Sequence, residues 1–170
     1  MIYPIVKYGD PVLEKVAAPI TEFDDKLKKL IEDMFESMYE AHGVGLAAPQ
    51  IGLSLHLAVI DVTFKEDPDA KIVLCNPQII KTEGRQTSSE GCLSIPEFRE
   101  NVTRPRIVTV RAQDVKGNWF EKTGEDLLAR AFLHETDHLN GKLYISNISA
   151  LKRDLMKRKI RKLVKSGEWK

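Results

Sequence analysis

Cysteine is scarce in this chain. Cys75 and Cys92 stand alone among 170 residues with no framework spacing, so disulfides do not staple the fold and a reducing compartment is expected. Long apolar runs are missing as well. No stretch approaches the roughly 20 residues that a membrane span requires, so no membrane partner is expected. Met1 leads straight into Ile-Tyr-Pro-Ile-Val, without a basic n-region, an apolar h-region or a small-residue cleavage site, which points to a cytoplasmic protein. Repeats, low-complexity tracts and linkers do not occur, and residues 1–170 read as one domain, long enough to bury a core. Hydrophobic residues at 42% and charged residues at 30% are ordinary for a soluble globular chain. The net charge of +1 conceals an asymmetry. Residues 150–170 hold nine Lys or Arg against Asp154 and Glu168, which makes this tail +7 and the remainder −6.

Histidine is scarce too, and that makes its placement informative. Of four His, two fall in His134-Glu135-Thr136-Asp137-His138, at the end of the apolar run Leu127–Leu133. On a helix, residues four apart lie one above the other, so both imidazoles can face one ion. Glu135 sits a residue round and can hydrogen-bond a water on that ion. Two neutral nitrogen ligands and a carboxylate base that does not bind the metal suit a metal-dependent hydrolase. A catalytic site of this kind takes three protein ligands and an open position. The metzincin pattern wants a His at position 144, where Tyr144 stands. A gluzincin wants a downstream Glu, and only Glu168 follows, in a Lys-rich tail. The third ligand therefore comes from upstream, with His42, His56, Cys75 and Cys92 as candidates.

Asp24 is the expected N-cap of a first long helix, with Leu27, Leu30, Ile31, Met34, Phe35 and Met38 at helical spacing. The helix should end near Ala41-His42, before Gly43 and Gly45. Gly43-Val44-Gly45-Leu46-Ala47-Ala48-Pro49-Gln50 is a tight, largely apolar loop. It lacks the lysine and hydroxyl of a phosphate loop, and suits a pocket wall carrying one amide donor. Residues 55–62 and 72–77 read as buried strands, with 79–81 continuing toward a turn at Glu83-Gly84. In those strands His56 reads as a surface or satisfied core residue and Cys75 as an inert small hydrophobe. Cys92, in Glu90-Gly91-Cys92-Leu93-Ser94, has polar neighbours. A divalent ion would hold it as thiolate, and the ligand reading is favoured over a nucleophilic one. Residues 106–113 and 118–123 form a hairpin around Lys116-Gly117-Asn118, Gly124 opens the metal helix, and Asn140-Gly141 closes it.

Three segments, Gly43–Gln50, Glu90–Ser94 and His134–His138, resemble in order and spacing the signature motifs of the bacterial peptide deformylases. The resemblance covers essentially the whole chain, to about residue 165. It departs at Leu133, where the family commonly has Gln, and at His42, often acidic in the family. The resemblance implies an α+β fold: mixed, mainly antiparallel strands around a central metal-binding helix, with a helix before and a helix after. It implies that Cys92, His134 and His138 hold the metal, Fe²⁺ in cells, with Zn²⁺ or Ni²⁺ able to substitute. Glu135 would take a proton from a water on the ion and pass it to the leaving amine, freeing formate from N-formylmethionyl nascent polypeptides. Gln50 and the backbone N–H of Leu93 would stabilise the oxyanion. The narrow site would accept formyl and exclude bulkier acyl groups. Val44, Leu127 and Ala131 would wall the methionine slot, and substrate would extend along Val44-Gly45-Leu46 as an added strand. Glu90 and Asp137 are candidates to support the ligands, with Arg104 or Arg106 as partner for either and Arg130 at the slot's rim or on a carboxylate.

Two other readings remain open. A metallopeptidase cutting internal bonds would need a long cleft and a third ligand other than Cys92. An RNA- or ribosome-binding protein with structural zinc would need a fourth ligand. DNA is not an expected partner. The basic stretch 150–165 is expected to be a C-terminal helix, with Ile148, Leu151 and Leu155 docking on the domain. Its Met156, Ile160, Leu163 and Val164 continue the helical spacing, and its Lys and Arg are available to ribosomal phosphates.

Overall fold

The computed structural model describes residues 1–169. Its α+β architecture grows from two amphipathic helices on opposite faces of one sheet. Helix α1 (Asp25–Glu40) starts where Asp24 accepts a hydrogen bond from the Leu27 N–H at 3.0 Å, and its Ile31, Met34, Phe35 and Met38 are buried. It stops at Ala41, and His42 follows in the left-handed region at φ 59°.

Seven strands follow in chain order: β1 (Gly45–Ala47), β2 (Leu57–Ile60), β3 (Ile72–Glu83), β4 (Gln86–Cys92), β5 (Ile95–Arg104), β6 (Ile107–Gln113) and β7 (Trp119–Glu125). Five make an antiparallel sheet in the order β1-β2-β3-β6-β7, and β4 pairs β5 in a separate two-stranded ribbon. Alternation along β2 shows why the sheet is covered twice. Leu57 and Val59 join α1's core, whereas Ala58 and Ile60 join Ala129, Phe132 and Leu139 of α2 (Asp126–Leu139). The segments at 72–77 and 79–81 are one strand, bent by register shifts on either side of Gln78. Pro77, which has no N–H to donate, lies within the first of these irregularities.

Helix α2 crosses the sheet and touches all five of its strands. It begins later than the sequence suggests. Gly124 is still strand, paired with Val108, and a Cβ there would lie 2.6 Å from Leu128 Cγ. The helix opens at Asp126 and ends at Leu139, capped by Asn140 before Gly141 at φ 77°.

The last helix, α3 (Ala150–Lys165), lies at the expected place but docks by a different face. Met156 and Ile160 are the buried residues, packed with Leu13, Ile95, Val102 and Tyr144, and Ile148 packs beside them. Leu151 at 71% and Leu155 at 46% exposure face solvent. The expected docking pair is thus corrected. Residues 156 and 160 lie about 140° round the helix from 151 and 155, which turns them toward Tyr144 and Ile95. No described helix is long and apolar enough to cross a membrane.

Candidate metal centre

Helix spacing, a strand end and a short loop bring the predicted groups to one cleft. His134 and His138 sit one turn apart on α2, and Cys92 ends β4. Their donor atoms all lie within 4.8 Å of one another. Cys92 Sγ is 3.3 Å from His138 Nε2, which is 3.2 Å from His134 Nε2. Metal–nitrogen bonds of about 2.1 Å and a metal–sulfur bond of about 2.3 Å set tetrahedral edges of about 3.4–3.6 Å. The two imidazoles and the thiol therefore fit a borderline divalent ion with little movement. His42, His56 and Cys75 lie outside this donor group. Cys75 is fully buried, and burial, reinforced by Asp114, pushes its thiol up to about 12.

Glu90 organises the surroundings. It is buried and accepts from Arg104 Nε at 2.8 Å and Nη2 at 2.7 Å, from Arg130 Nη1 at 2.6 Å, and meets His134 Nδ1 at 2.7 Å. That last contact fixes the ring so that Nε2 faces the donor cluster. Arg104 reaches Asp137 Oδ2 at 3.0 Å as well, so it is Arg104 that joins both carboxylates. Arg106 is on the surface with Glu125 and Asp126, at 3.7 and 3.9 Å. Burial works to raise the Glu90 pKa, but the hydrogen bonds from His134 and Arg104 outweigh it and hold the carboxyl well below its ordinary range. Burial also opposes charge on His134, yet Glu135, Cys92 and Glu90 hold its pKa well up. His138, buried beside that charge, is held well down.

Glu135 is buried with Oε1 lacking any hydrogen-bond partner, and burial pushes its pKa up to about 7. Its other oxygen lies against β1. A Cβ added to Gly45 would stand 2.5 Å from Oε2, so only glycine leaves the carboxylate room. Gln50 is buried in the 3-10 turn Ala48–Ile51. Its Oε1 accepts from Ala47 N–H at 3.0 Å, which turns Nε2 toward Ser94 Oγ at 3.2 Å and Cys92 Sγ at 3.6 Å.

The cleft over these groups encloses about 570 Å³, and Val44, Gly45, Leu93, Leu127, Ala131, His134 and Glu135 all line it. Leu46 does not. Its side chain is fully buried in the α1 core, so only its backbone is available to a ligand strand. Arg130 is at the cleft wall and spends its guanidinium on Glu90 and the Val102 carbonyl, at 2.6 and 3.0 Å. Sequence reasoning passed over four contributors. Ser94, fully buried, accepts from Gln50. Tyr144 places its ring 6.4 Å from that of His134 at 21° between planes. Phe98 and Arg99 line the cleft from β5, a strand that its polar sequence concealed.

The chain is similar to known proteins over nearly its whole length. The family model described as Polypeptide deformylase matches residues 2–154. The peptide deformylase of Acidobacterium capsulatum is 64% identical over 169 residues, 99% of each chain. That of Alkalilimnicola ehrlichii is 45% identical, covering 98% of this chain and 93% of its own. The crystal structure of a peptide deformylase from Legionella pneumophila superposes with a TM-score of 0.91 at 46% identity, over 100% of this chain and 99% of that one.

Proposed function

The chain belongs to the polypeptide deformylase family, enzymes that remove the formyl group from N-terminal formylmethionine, and from that premise we propose how its own residues do this. The observation that carries the reading is the convergence of Cys92, His134 and His138 beside the buried Glu135. Those three would hold the ion, Fe²⁺ by expectation, with Zn²⁺ or Ni²⁺ as substitutes that the same donors accept. A divalent ion there supplies Lewis acidity toward water and toward the formyl carbonyl.

The remaining work falls to the protein. Glu135 Oε1, with no competing partner and a pKa pushed up to about 7, is poised both to accept a proton from water and to give one back. It takes the proton as the water oxygen attacks the formyl carbon, then delivers it to the amine nitrogen as formate leaves. Negative charge gathers on the formyl oxygen, and Gln50 Nε2 and the Leu93 backbone N–H are the donors assigned to it. Because Gln50 Oε1 is tied to Ala47, the amide is oriented before substrate arrives. Val44, Leu127 and Ala131 offer the apolar slot for the methionine side chain. β1 lies at the sheet edge, so the backbone of Val44, Gly45 and Leu46 can pair with a substrate strand and read main chain instead of side chains.

The protein loaded with Fe²⁺ without oxygen should release formate from a formylmethionyl tripeptide and no acetate from its acetyl analogue. No formate from a protein with verified metal content would overturn the reading. A ribosome contact is proposed for α3, whose Arg158, Lys162 and Lys165 are exposed. Met156 and Ile160 belong to the core, so charge reversal is a better test than deletion. Replacing Arg158, Lys162 and Lys165 with Glu should abolish low-salt co-sedimentation with ribosomes while tripeptide turnover persists. Undiminished co-sedimentation would make the basic face a solvated surface only.

A further inference from the structure

Helix α3 ends in a turn that sends the chain back toward the cleft. Gly167 adopts φ 78°, its N–H donates to the Val164 carbonyl at 3.2 Å, and the Glu168 N–H donates to the Leu163 carbonyl at 2.9 Å. This pair of bonds around a left-handed glycine is a Schellman cap, which reverses the chain direction. Trp169 is thereby delivered to Phe98, ring centroids 6.2 Å apart at 65°, and its Nε1–H donates to the Tyr8 carbonyl at 3.0 Å. Tyr8 is not loose either. Its N–H donates to the Ser94 carbonyl at 2.8 Å, and Ser94 Oγ accepts from Gln50. The indole is thus pinned at its N–H to one side of the site while its face meets an aromatic ring that lines the cleft.

We propose that Trp169 is a positioning residue for substrate binding, fixing Phe98 as a rigid wall of the cleft. The proposal rests on the deformylase reading. Phe98 stands at residue 98 of a ribbon that lacks a third strand, next to Glu97 at φ 71°, so its backbone alone does not pin it. The Tyr144 hydroxyl bonds to the Phe98 carbonyl only at a long 3.4 Å. An edge-to-face partner with its own hydrogen-bonded anchor is what limits the ring to one orientation. A wall held in place lowers the ordering that a peptide must bring about on binding, so loss of Trp169 acts on KM. It leaves the proton transfers at Glu135 alone, and kcat stays.

The test uses the full-length, metal-loaded protein and formylmethionyl tripeptides. Trp169→Ala should raise KM five- to tenfold with kcat within twofold. Trp169→Phe, which keeps an aromatic face but loses the bond to the Tyr8 carbonyl, should recover part of that loss and leave KM between the two. Phe98→Ala should raise KM similarly, and adding Trp169→Ala to it should do nothing more. A KM unchanged in Trp169→Ala, penalties that multiply in the double variant, or kcat falling together with the folded fraction would each overturn the proposal. Absence of turnover in the unmodified protein would instead refute the deformylase reading. Emission covers that case: with Trp119→Phe, Trp169 is the sole tryptophan. A saturating formylmethionyl peptide should shift its emission, and an unmoved spectrum also overturns the assignment.

Discussion

Replacing Glu90 with Gln should be far more damaging than one lost charge suggests. The carboxylate is 3% exposed and serves two guanidinium groups and one imidazole through four contacts of 2.6–2.8 Å. Glutamine keeps one acceptor oxygen and turns an NH₂ toward donors already pointing inward. Arg130 then has only the Val102 carbonyl, and Arg104 leans on the partly exposed Asp137. Breaking a buried ion pair from one side costs about 3–5 kcal/mol. For a chain of this length each kcal/mol moves the unfolding midpoint by about 2–4 °C, so the variant should melt about 6–20 °C lower at pH 7. Freed from its carboxylate, His134 should also let metal affinity fall about 10–100-fold. The pH dependence has a definite sign. The folded-state pKa of Glu90 is depressed, so its contribution is complete above the unfolded value of 4.5 and is lost as pH falls below it. The gap between the two proteins should therefore close on acidification. Thermal unfolding followed by circular dichroism at pH 7 and pH 4, with competitive chelator titration, measures both effects. A midpoint drop under 2 °C at pH 7, or a gap that widens in acid, would refute the assignment of Glu90 as the hub.

Glu135→Gln should retain metal while formate release falls by about 10²–10⁴-fold or more, and activity within tenfold of the unmodified protein would contradict a proton-transfer role. Cys92→Ser should lose metal and activity, whereas Cys75→Ser, deep in the α1 core, should keep its metal. Equal metal content in both by elemental analysis would move the third ligand elsewhere. Asp61→Asn tests the far side of β1. Burial draws the Asp61 pKa up, but donors from Tyr39, Thr63 and Lys65 prevail and bring it to about 2 from 3.8. That difference corresponds to about 2.5 kcal/mol, present above pH 3.8 and lost toward pH 2, so the variant's acid-unfolding curve should lack this limb.

What the sequence disclosed depended on how residues advertise their surroundings. The ligand spacing on α2, the Asp24 cap and the apolar strands β2 and β3 all carry periodic signals that local geometry obeys. β4 and β5 escaped because their inward residues include Glu90 and Arg104, so alternation between core and solvent reads as polar beside polar. Whether Arg104 or Arg106 served Glu90 was equally hidden. Only the ribbon's register, with Glu90 opposite Glu100 and Gln86 opposite Arg104, puts Glu90 and Arg104 on one face. Gly124 misled for the opposite reason. Its signal is a close approach by Leu128, which looks in sequence like a helix boundary. On α3, helical period marked two apolar faces, and only packing into the cluster around Tyr144 decided between them.

The brevity of β1 has a consequence for life at high protein concentration. A sheet edge open enough to welcome an extended chain is also an invitation to stack with another copy, the usual start of amorphous or fibrillar precipitation. Here that edge is three residues long, and Ala48-Pro49 turns the backbone away at once. A strand so short can register a brief segment entering the cleft, but it gives a neighbouring sheet almost no ladder to grow along. At this edge, the geometry proposed to admit a passing N-terminus is thus also one that offers another copy little to stack on.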